Sequence, residues 1–273
     1  MTIFASIIIA TYNRENCIGS SIESALKAFS LVNTKFEIIV IDDCSIDNTD
    51  LVVNRDFKKY IASGNLIYIK LPKNKGVCGA RNFGVRHAHG EWVIFLDSDD
   101  TLLPESGIEV FKELNKYNDN PVVFFRCVDQ NGIKVGNNFK DYSCDISLKD
   151  YLTQGSSGEC LTAIKREAIN TIKFEEHLRG YEGLTIAKIM RYTNKNAILS
   201  HVLARMYIQT GEDRLSSKSG FSKRLKLIGK GHFLMVKEFS TDMSMMAVLY
   251  LLIKSFSYQA LHFLNTVISL TRK

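Results

Sequence analysis

Four short, uninterrupted apolar runs constrain this chain more than any other feature: SIIIA (6–10), FEIIVI (36–41), LIYIKL (66–71) and EWVIFL (91–96). Each is rich in β-branched or aromatic residues, and none alternates in a way that would leave one face to water. Between them lie segments with apolar residues at helical spacing: ENCIGSSIESALKAFS, NTDLVVNRDFKKYI and GVCGARNFGVRHAH. Strands buried on both faces and alternating with amphipathic helices predict a parallel sheet covered on each side. In such sheets ligands gather at the carboxyl ends of the strands. The polar residues follow that rule. Thr11, Tyr12, Asn13 and Arg14 follow the first strand, Asp42 and Asp43 the second, and Asp97, Asp99 and Asp100 the fourth. A buried strand gains nothing by ending in like charges that repel and resist desolvation, so a positive partner is expected beside WVIFLDSDD (92–100).

Further on, Pro104 opens a helix that leads to a strand at VVFFRCV (122–128), and NGI (131–133) reads as the turn of a short hairpin. From about 140 to 210 the pattern is mixed, with helix-like pieces near 147–153 and 181–192. Beyond Ser219 apolar residues keep helical spacing through Leu270. The chain of 273 residues is long enough for one large domain with an appendage, and its 45% apolar and 23% charged content is that of a globular protein. These patterns predict an α/β domain over 1–215 and a helical extension over 216–273.

The net charge of +6 comes in part from KSGFSKRLKLIGKGHF, which holds five Lys or Arg and no acid. Such a run is either a solvated helix face or a contact for an anionic membrane surface. Six cysteines without C-x-x-C spacing, and an N-terminus lacking a basic region followed by an apolar one, predict reduced thiols in a cytoplasmic protein and no zinc site. No apolar run reaches the roughly 18 residues of a spanning helix. MSMMAVLYLLI (243–253) comes nearest and stops at Lys254.

Three constellations carry chemistry. At the end of the fourth strand, alternation predicts Asp97 and Asp99 on one side with Ser98 pointing away. Two converging carboxylates suit a hard divalent cation such as Mg²⁺ or Mn²⁺ that keeps positions open for diphosphate oxygens. Asp100 has the simpler option of capping the helix after Pro104. In IIVIDDCSIDNTD, Asp47 and Thr49 stand closest to a helix start, which leaves Asp42 and Asp43 for a ribose or base. In LPKNKGVCGARNFGVRHAHGEW, Gly76 and Gly79 permit close backbone approach where a loop enters a helix, a favourable place for phosphate. Arg81, in the first turns of that helix, either reaches a diphosphate or pairs with one of the aspartates. The absence of G-x-G-x-x-G after the first strand disfavours a dinucleotide-binding domain.

With SIIIATYNR, IIVIDDCSIDNTD, GARNFGV and EWVIFLDSDD in that order, the chain resembles a family 2 glycosyltransferase of the GT-A fold over roughly residues 5–105. The resemblance implies a Rossmann-like, mostly parallel sheet flanked by helices, a nucleotide-binding half over 1–105 and an acceptor half over 106–215. It implies transfer of a sugar from a nucleotide diphospho-sugar, commonly a UDP-sugar, to an acceptor hydroxyl with inversion, with no nucleic-acid partner. Ala10, Tyr12 and Arg14 match the loop that contacts the nucleotide, Asp43 the base-contacting aspartate and Arg81 the basic residue near the diphosphate. Asp97 and Asp99 match the Asp-x-Asp pair, with Asp99 the main metal ligand and Ser98 beside the donor.

The pattern departs from the family in the second half. Members carry an acidic pair at a helix start whose aspartate is the usual base, whereas FEEHLRGYEGLTIAKIM has Glu182 followed by Gly183. The resemblance then leaves Glu182 as the base, Glu175 or Glu176 as substitutes, or a protein that binds a nucleotide sugar without catalysis. YIQTGEDRLSSK (207–218) resembles a loop that closes over the diphosphate, which makes His201, Arg205 and Arg214 candidate phosphate contacts, though each also suits a surface position. A nucleotidyltransferase is disfavoured, because Thr11-Tyr12-Asn13-Arg14 lacks the glycine-rich basic loop that such chemistry needs. The helical extension either lies on the inner face of a bacterial membrane, near a lipid-linked saccharide acceptor, or packs on the catalytic domain or a dimer partner.

Overall fold

The computed structural model describes residues 2–137, 139–178, 180–208 and 218–271. Its first part alternates strand and helix: β1 (Ile3–Thr11), α1 (Ile18–Ser30), β2 (Lys35–Asp42), α2 (Thr49–Asp56), α3 (Lys58–Ala62), β3 (Leu66–Lys70), α4 (Gly76–His87) and β4 (Trp92–Asp97). These four strands are parallel, in the order β3-β2-β1-β4. Their continuous apolar character has a direct use, because successive side chains enter opposite cores. In β1, Ile7 and Ile9 pack with Ile22 and Phe29 of α1, while Ile8 packs on the other face with Ala80 and Val85 of α4. In β4, Trp92, Ile94 and Leu96 take the α1 side, and Val93 and Phe95 take the α4 side. Helix α4 lies so close to β1 that a Cβ on Gly84 would stand 2.7 Å from Ile8 Cγ2, so any side chain there would lift the helix from the sheet.

The segment NTDLVVNRDFKKYI, which reads as one helix, is two. The chain leaves helical geometry at Phe57 (φ −112°, ψ 15°), whose buried ring joins the α1-side core. Burying an aromatic ring outweighs the modest gain from continuing a helix.

The second part continues with β5 (Thr101–Leu102), α5 (Ser106–Lys116), β6 (Val122–Asp129), β7 (Lys134–Val135), β8 (Cys144–Ile146), α6 (Leu148–Gln154), β9 (Cys160–Lys165), α7 (Arg166–Thr171), α8 (Gly183–Thr193) and β10 (Ala197–Tyr207). Helix α5 starts two residues past Pro104, and the β6–β7 hairpin turns through Gly132 at φ +77°. The main path of the sheet is β3-β2-β1-β4-β9-β6-β10-β5, with β9 antiparallel to both neighbours and β10 parallel to β6. The result is a GT-A-like curled sheet that is parallel from β1 to β4 and mixed beyond β4.

Two long helices, α9 (Lys218–Phe239) and α10 (Met245–Thr271), form a hairpin. Their Met235, Val236, Phe239 and Leu251 belong to the same core as Ile186 and Met190 of α8. Ser255 Oγ donates to the Gly229 carbonyl at 2.8 Å, Gly231 lies against the Tyr181 ring, and Tyr181 Oη meets His232 Nδ1 at 2.8 Å. The outer face of α10 stays exposed, including Met246, Leu249, Tyr250, Ile253 and Phe256. The expectation of no spanning-length helix is corrected here. Met245–Asn265 is long and apolar enough to cross a membrane by length and composition, with 11% buried. Lys254 interrupts the apolar run but not the apolar character of the helix, and a lone lysine stem lies readily along an apolar surface.

Candidate active site

The loops that leave β1 and β2 are stitched together before any ligand is considered. Asn13, held at φ +52°, donates its N–H to Ser45 Oγ at 2.9 Å and accepts from the Ile46 N–H at 2.9 Å. The Arg14 N–H donates to Thr49 Oγ1 at 2.8 Å. Asp47 accepts from the Glu15 N–H and, at 3.0 Å, from the Thr49 N–H, which is the helix-end role its position predicts. Burial opposes its charge, but the hydrogen bonds outweigh burial and hold its carboxyl below the ordinary value.

Asp42 is fully buried and accepts from the Ser45 N–H and Tyr68 Oη, each at 2.7 Å, so it fixes the strand exit. Asp43 lines the cleft and takes the Lys75 N–H at 2.6 Å, while Asn74 Oδ1 takes the Gly76 N–H at 3.1 Å. Side chains therefore already occupy these two amides at the entrance to α4, where the sequence suggested a phosphate cradle. Gly76 itself still lines the cleft.

That cleft, of about 990 Å³, brings together Ala10, Tyr12, Arg14, Asp43, Arg81, Asp97, Ser98, Asp99 and Glu182. Strand β4 ends at Asp97 and the chain turns at once, with the Asp100 N–H donating to the Asp97 carbonyl at 3.1 Å. Regular strand alternation therefore stops at Asp97, and Ser98 lines the cleft with its neighbours.

Among the described residues, three arginines supply the positive partners expected at this knot of carboxylates. Arg81 Nη2 meets Asp97 Oδ1 at 2.7 Å, Arg205 Nη1 meets Asp97 Oδ2 at 3.1 Å, and Arg14 Nη2 stands 4.0 Å from Asp99 Oδ2. Arg205 is only 2% exposed; it also lies 3.3 Å from Asp100 Oδ2 and 3.1 Å from Glu159 Oε2. Asp100 is not the cap of α5. Completely buried, it pairs with Arg205 and accepts the Ile208 N–H at 3.1 Å. Burial pushes its carboxyl up to about 6, against the pull of Arg205. Burial also works against the charge of Arg81, but Asp97 and Glu182 outweigh it and raise that guanidinium.

On the other nitrogen of the same guanidinium, Glu182 Oε1 lies 3.6 Å from Arg81 Nη1 and accepts from Cys78 Sγ at 3.7 Å. Glu175 pairs with Lys188 at 2.7 Å, and Glu176 accepts from Asn82 at 3.3 Å; neither lines the cleft. Gly183 opens α8, and a Cβ there would stand 3.2 Å from Tyr151 Oη. The volume of an aspartate at 183 is thus partly filled by a tyrosine from α6. His201 is exposed outside the cleft, where Ser143 Oγ meets its Nδ1 at 2.9 Å, which removes it from the phosphate candidates. Arg214 lies outside the described residues.

Sequence reasoning missed Tyr151, Glu159 and Arg224, all of which line the cleft. Arg224 reaches it from α9 by packing over Gly180, whose φ of +81° turns the chain just before Glu182. Nothing local to α9 marks this arginine among its basic neighbours.

The donor set bears on a divalent cation. Asp97 carries a guanidinium on each carboxylate oxygen, so it serves first as counter-ion to Arg81 and Arg205. Asp99 lines the cleft with Arg14 Nη2 at 4.0 Å, and a carboxylate there fits a hard cation completed by water and phosphate oxygens. Among the described residues no group of three His, Cys, Asp or Glu forms a ready cage. The residues fit a cation held chiefly by Asp99 and shared with a bound diphosphate.

Comparison with known proteins bears on the same region. The profile of Glycosyl transferase family 2 matches residues 6–171. The GalNAc(5)-diNAcBac-PP-undecaprenol beta-1,3-glucosyltransferase of Campylobacter jejuni is 29% identical over 253 residues, 88% of this chain and 75% of that one. The poly(ribitol-phosphate) beta-N-acetylglucosaminyltransferase TarS of Staphylococcus aureus is 30% identical over 71% of this chain, which spans 33% of that enzyme's length. A crystal structure of its residues 1–349 with UDP superimposes with a TM-score of 0.63 at 25% identity, covering 85% of this chain and 66% of that one. A mannosyltransferase from Pyrobaculum calidifontis, in complex with GDP-Man and Mn²⁺, shares the fold at 19% identity with a TM-score of 0.65, over 100% of this chain and 81% of its own.

Proposed function

The chain belongs to Glycosyl transferase family 2, and we propose that it is an inverting transferase that moves a sugar from a UDP-sugar to a hydroxyl of a saccharide or lipid-linked saccharide in bacterial surface polysaccharide assembly. One observation carries this reading. The Asp97–Ser98–Asp99 turn and Glu182 face one cleft and are joined through Arg81, 2.7 Å from Asp97 and 3.6 Å from Glu182. The UDP bound by the staphylococcal relative and the lipid-linked acceptor named for the Campylobacter one support the choice of substrates.

In the proposed reaction Tyr12 and Asp43 hold the nucleotide, and Ala10 and Arg14 form the wall behind it. Arg81 and Arg205 bring positive charge to the diphosphate end. Asp99 would be the main ligand of a divalent cation, Mn²⁺ or Mg²⁺, with Asp97 holding Arg81 and Arg205 behind it. When bound, such a cation offsets the charge that builds on a departing nucleotide diphosphate. Glu182 accepts the proton of the acceptor hydroxyl as that oxygen attacks the anomeric carbon from the face opposite the leaving group, which inverts the centre. Residues 1–105 then form the donor half and 106–215 the acceptor half. The extension over 216–273 rests on the inner face of the membrane, with the exposed apolar row of α10 and the basic residues of α9 as its contacts.

Incubation with Mn²⁺ and a panel of nucleotide sugars, followed by measurement of free nucleotide, tests this reading. Slow hydrolysis of one donor, accelerated by an acceptor, is expected. Saturable donor binding with neither hydrolysis nor transfer would instead favour a non-catalytic nucleotide-sugar-binding protein, the reading motivated by Gly183.

A further inference from the structure

A second cavity, of about 600 Å³, lies between α6, the start of α8 and the α9–α10 hairpin. Tyr151, Gly180, Glu182 and Gly183 line both this cavity and the donor cleft, so an occupant of either lies beside the same carboxylate. Its volume falls within the range of about 300–1,000 Å³ common for ligand pockets. The hairpin that roofs it lies outside residues 6–171, the region matched by the family profile.

The lining has a definite chemistry. Leu152, Met235, Met246 and Leu251 make it largely apolar, and Lys254 supplies a cation 4.4 Å from the Tyr250 ring centroid. Among the described residues Glu182 is the one acid in the lining. Met246 and Tyr250 line the cavity and are also exposed at 75% and 55%, so it opens onto the outer face of α10, where Ile253 continues the row. An apolar chamber with one lysine, a carboxylate at its inner end and an apolar track at its mouth matches an amphiphile with an anionic head. A free sugar would leave this apolar surface uncovered and Lys254 without a counter-charge.

Building on the transferase reading, we propose that this cavity receives the acceptor, a lipid-linked phosphate or diphosphate. Its head lies by Lys254, its sugar hydroxyl reaches Glu182 and its apolar chain leaves along Met246, Tyr250 and Ile253. The helical hairpin is then one wall of the acceptor site as well as a membrane contact.

Farnesyl diphosphate, titrated calorimetrically into the full chain with Mn²⁺ and saturating UDP, tests the assignment. Saturable binding to the wild type is expected. Ala247→Trp, which fills the cavity from the half-exposed start of α10, should weaken it about tenfold or more, and Lys254→Ala about threefold or more. Neither variant should change the affinity for UDP by more than about twofold. Asp99→Ala should leave farnesyl diphosphate binding intact. Three results would overturn the proposal: no saturable binding to the wild type, equal binding by wild type and both cavity variants, or loss of binding in Asp99→Ala alone, which would put the diphosphate in the donor cleft. Absence of UDP binding by the wild type is a separate outcome and counts against the transferase reading itself.

Discussion

The cleft and the cavity that adjoins it are built in different ways. At the proposed donor end, Ala10, Tyr12, Arg14, Asp43 and Asp97 to Asp99 stand on or just past the ends of neighbouring parallel strands, and side-chain bonds to backbone amides tie the loops together. At the proposed acceptor end, in the adjoining cavity, Tyr151 comes from α6, Glu182 from the start of α8, and His232 and Lys254 from a hairpin some 50 to 70 residues further on. Charge organises the first end, where arginines answer a cluster of aspartates. Apolar packing organises the second. On the proposed reading, donor recognition rests on the sheet itself, whereas acceptor choice is set by what is packed onto it.

If that division is right, variants at the two ends should fail differently. Glu182→Gln sits on the boundary and should have the largest effect. Its transfer rate should fall by about 10²- to 10⁴-fold, as for loss of a general base, while donor affinity stays within about twofold. Equal losses in rate and affinity would make Glu182 a structural partner of Arg81.

Arg205→Ala should come next, read as stability. It removes the guanidinium 3.3 Å from the buried Asp100, a loss of about 3–5 kcal/mol in urea unfolding. Arg205→Met combined with Asp100→Asn should recover a large part of that loss, because both charges leave together. Asp99→Ala should weaken metal-dependent donor binding about tenfold or more, or about 1.4 kcal/mol. Its unfolding midpoint should stay close to wild type, because the change removes like charge beside Asp97 and Asp100. A donor affinity that keeps its full metal dependence would sink the assignment of Asp99.

The same contrast explains what could be read from the residues in advance. Strands β1 to β4 announce themselves because burial on both faces demands continuous apolar runs, and motifs at strand ends inherit their position from the sheet. Asp43 could be separated from Asp42 only in part, since a partner for Asp42 comes from Tyr68 on a different strand. Arg205 looked like a surface residue because the acids that bury it, Asp97, Asp100 and Glu159, lie some 46 to 108 positions away. Strand β9 is invisible to period alone. It lies antiparallel between β4 and β6, which no rule of consecutive βα units anticipates. Arg224 and Tyr151 reach the cleft through tertiary packing, and only a contact across the fold identifies either.

The smallest expected effect tests whether the hairpin is integral to the acceptor end. Burial, reinforced by Lys254, lowers the His232 imidazole from 6.5 to about 4, and its ring meets Tyr181 Oη and stacks on Tyr258. Folded, the ring stays neutral at moderate acidity; unfolded, it takes up a proton as pH falls below 6.5. Its contribution is therefore complete above 6.5 and is lost as pH falls from 6.5 toward 4. For a ring only partly shielded from solvent this amounts to about 1 kcal/mol between pH 7.5 and 5. Urea unfolding at those two pH values should show His232→Gln losing about 1 kcal/mol less than the wild type, since the other histidines are common to both. Donor affinity should respond equally to pH in the two proteins. An equal fall in stability would mean that the hairpin is not locked to Tyr181 through a neutral histidine, and the acceptor end would lose one of the contacts that tie it to the sheet.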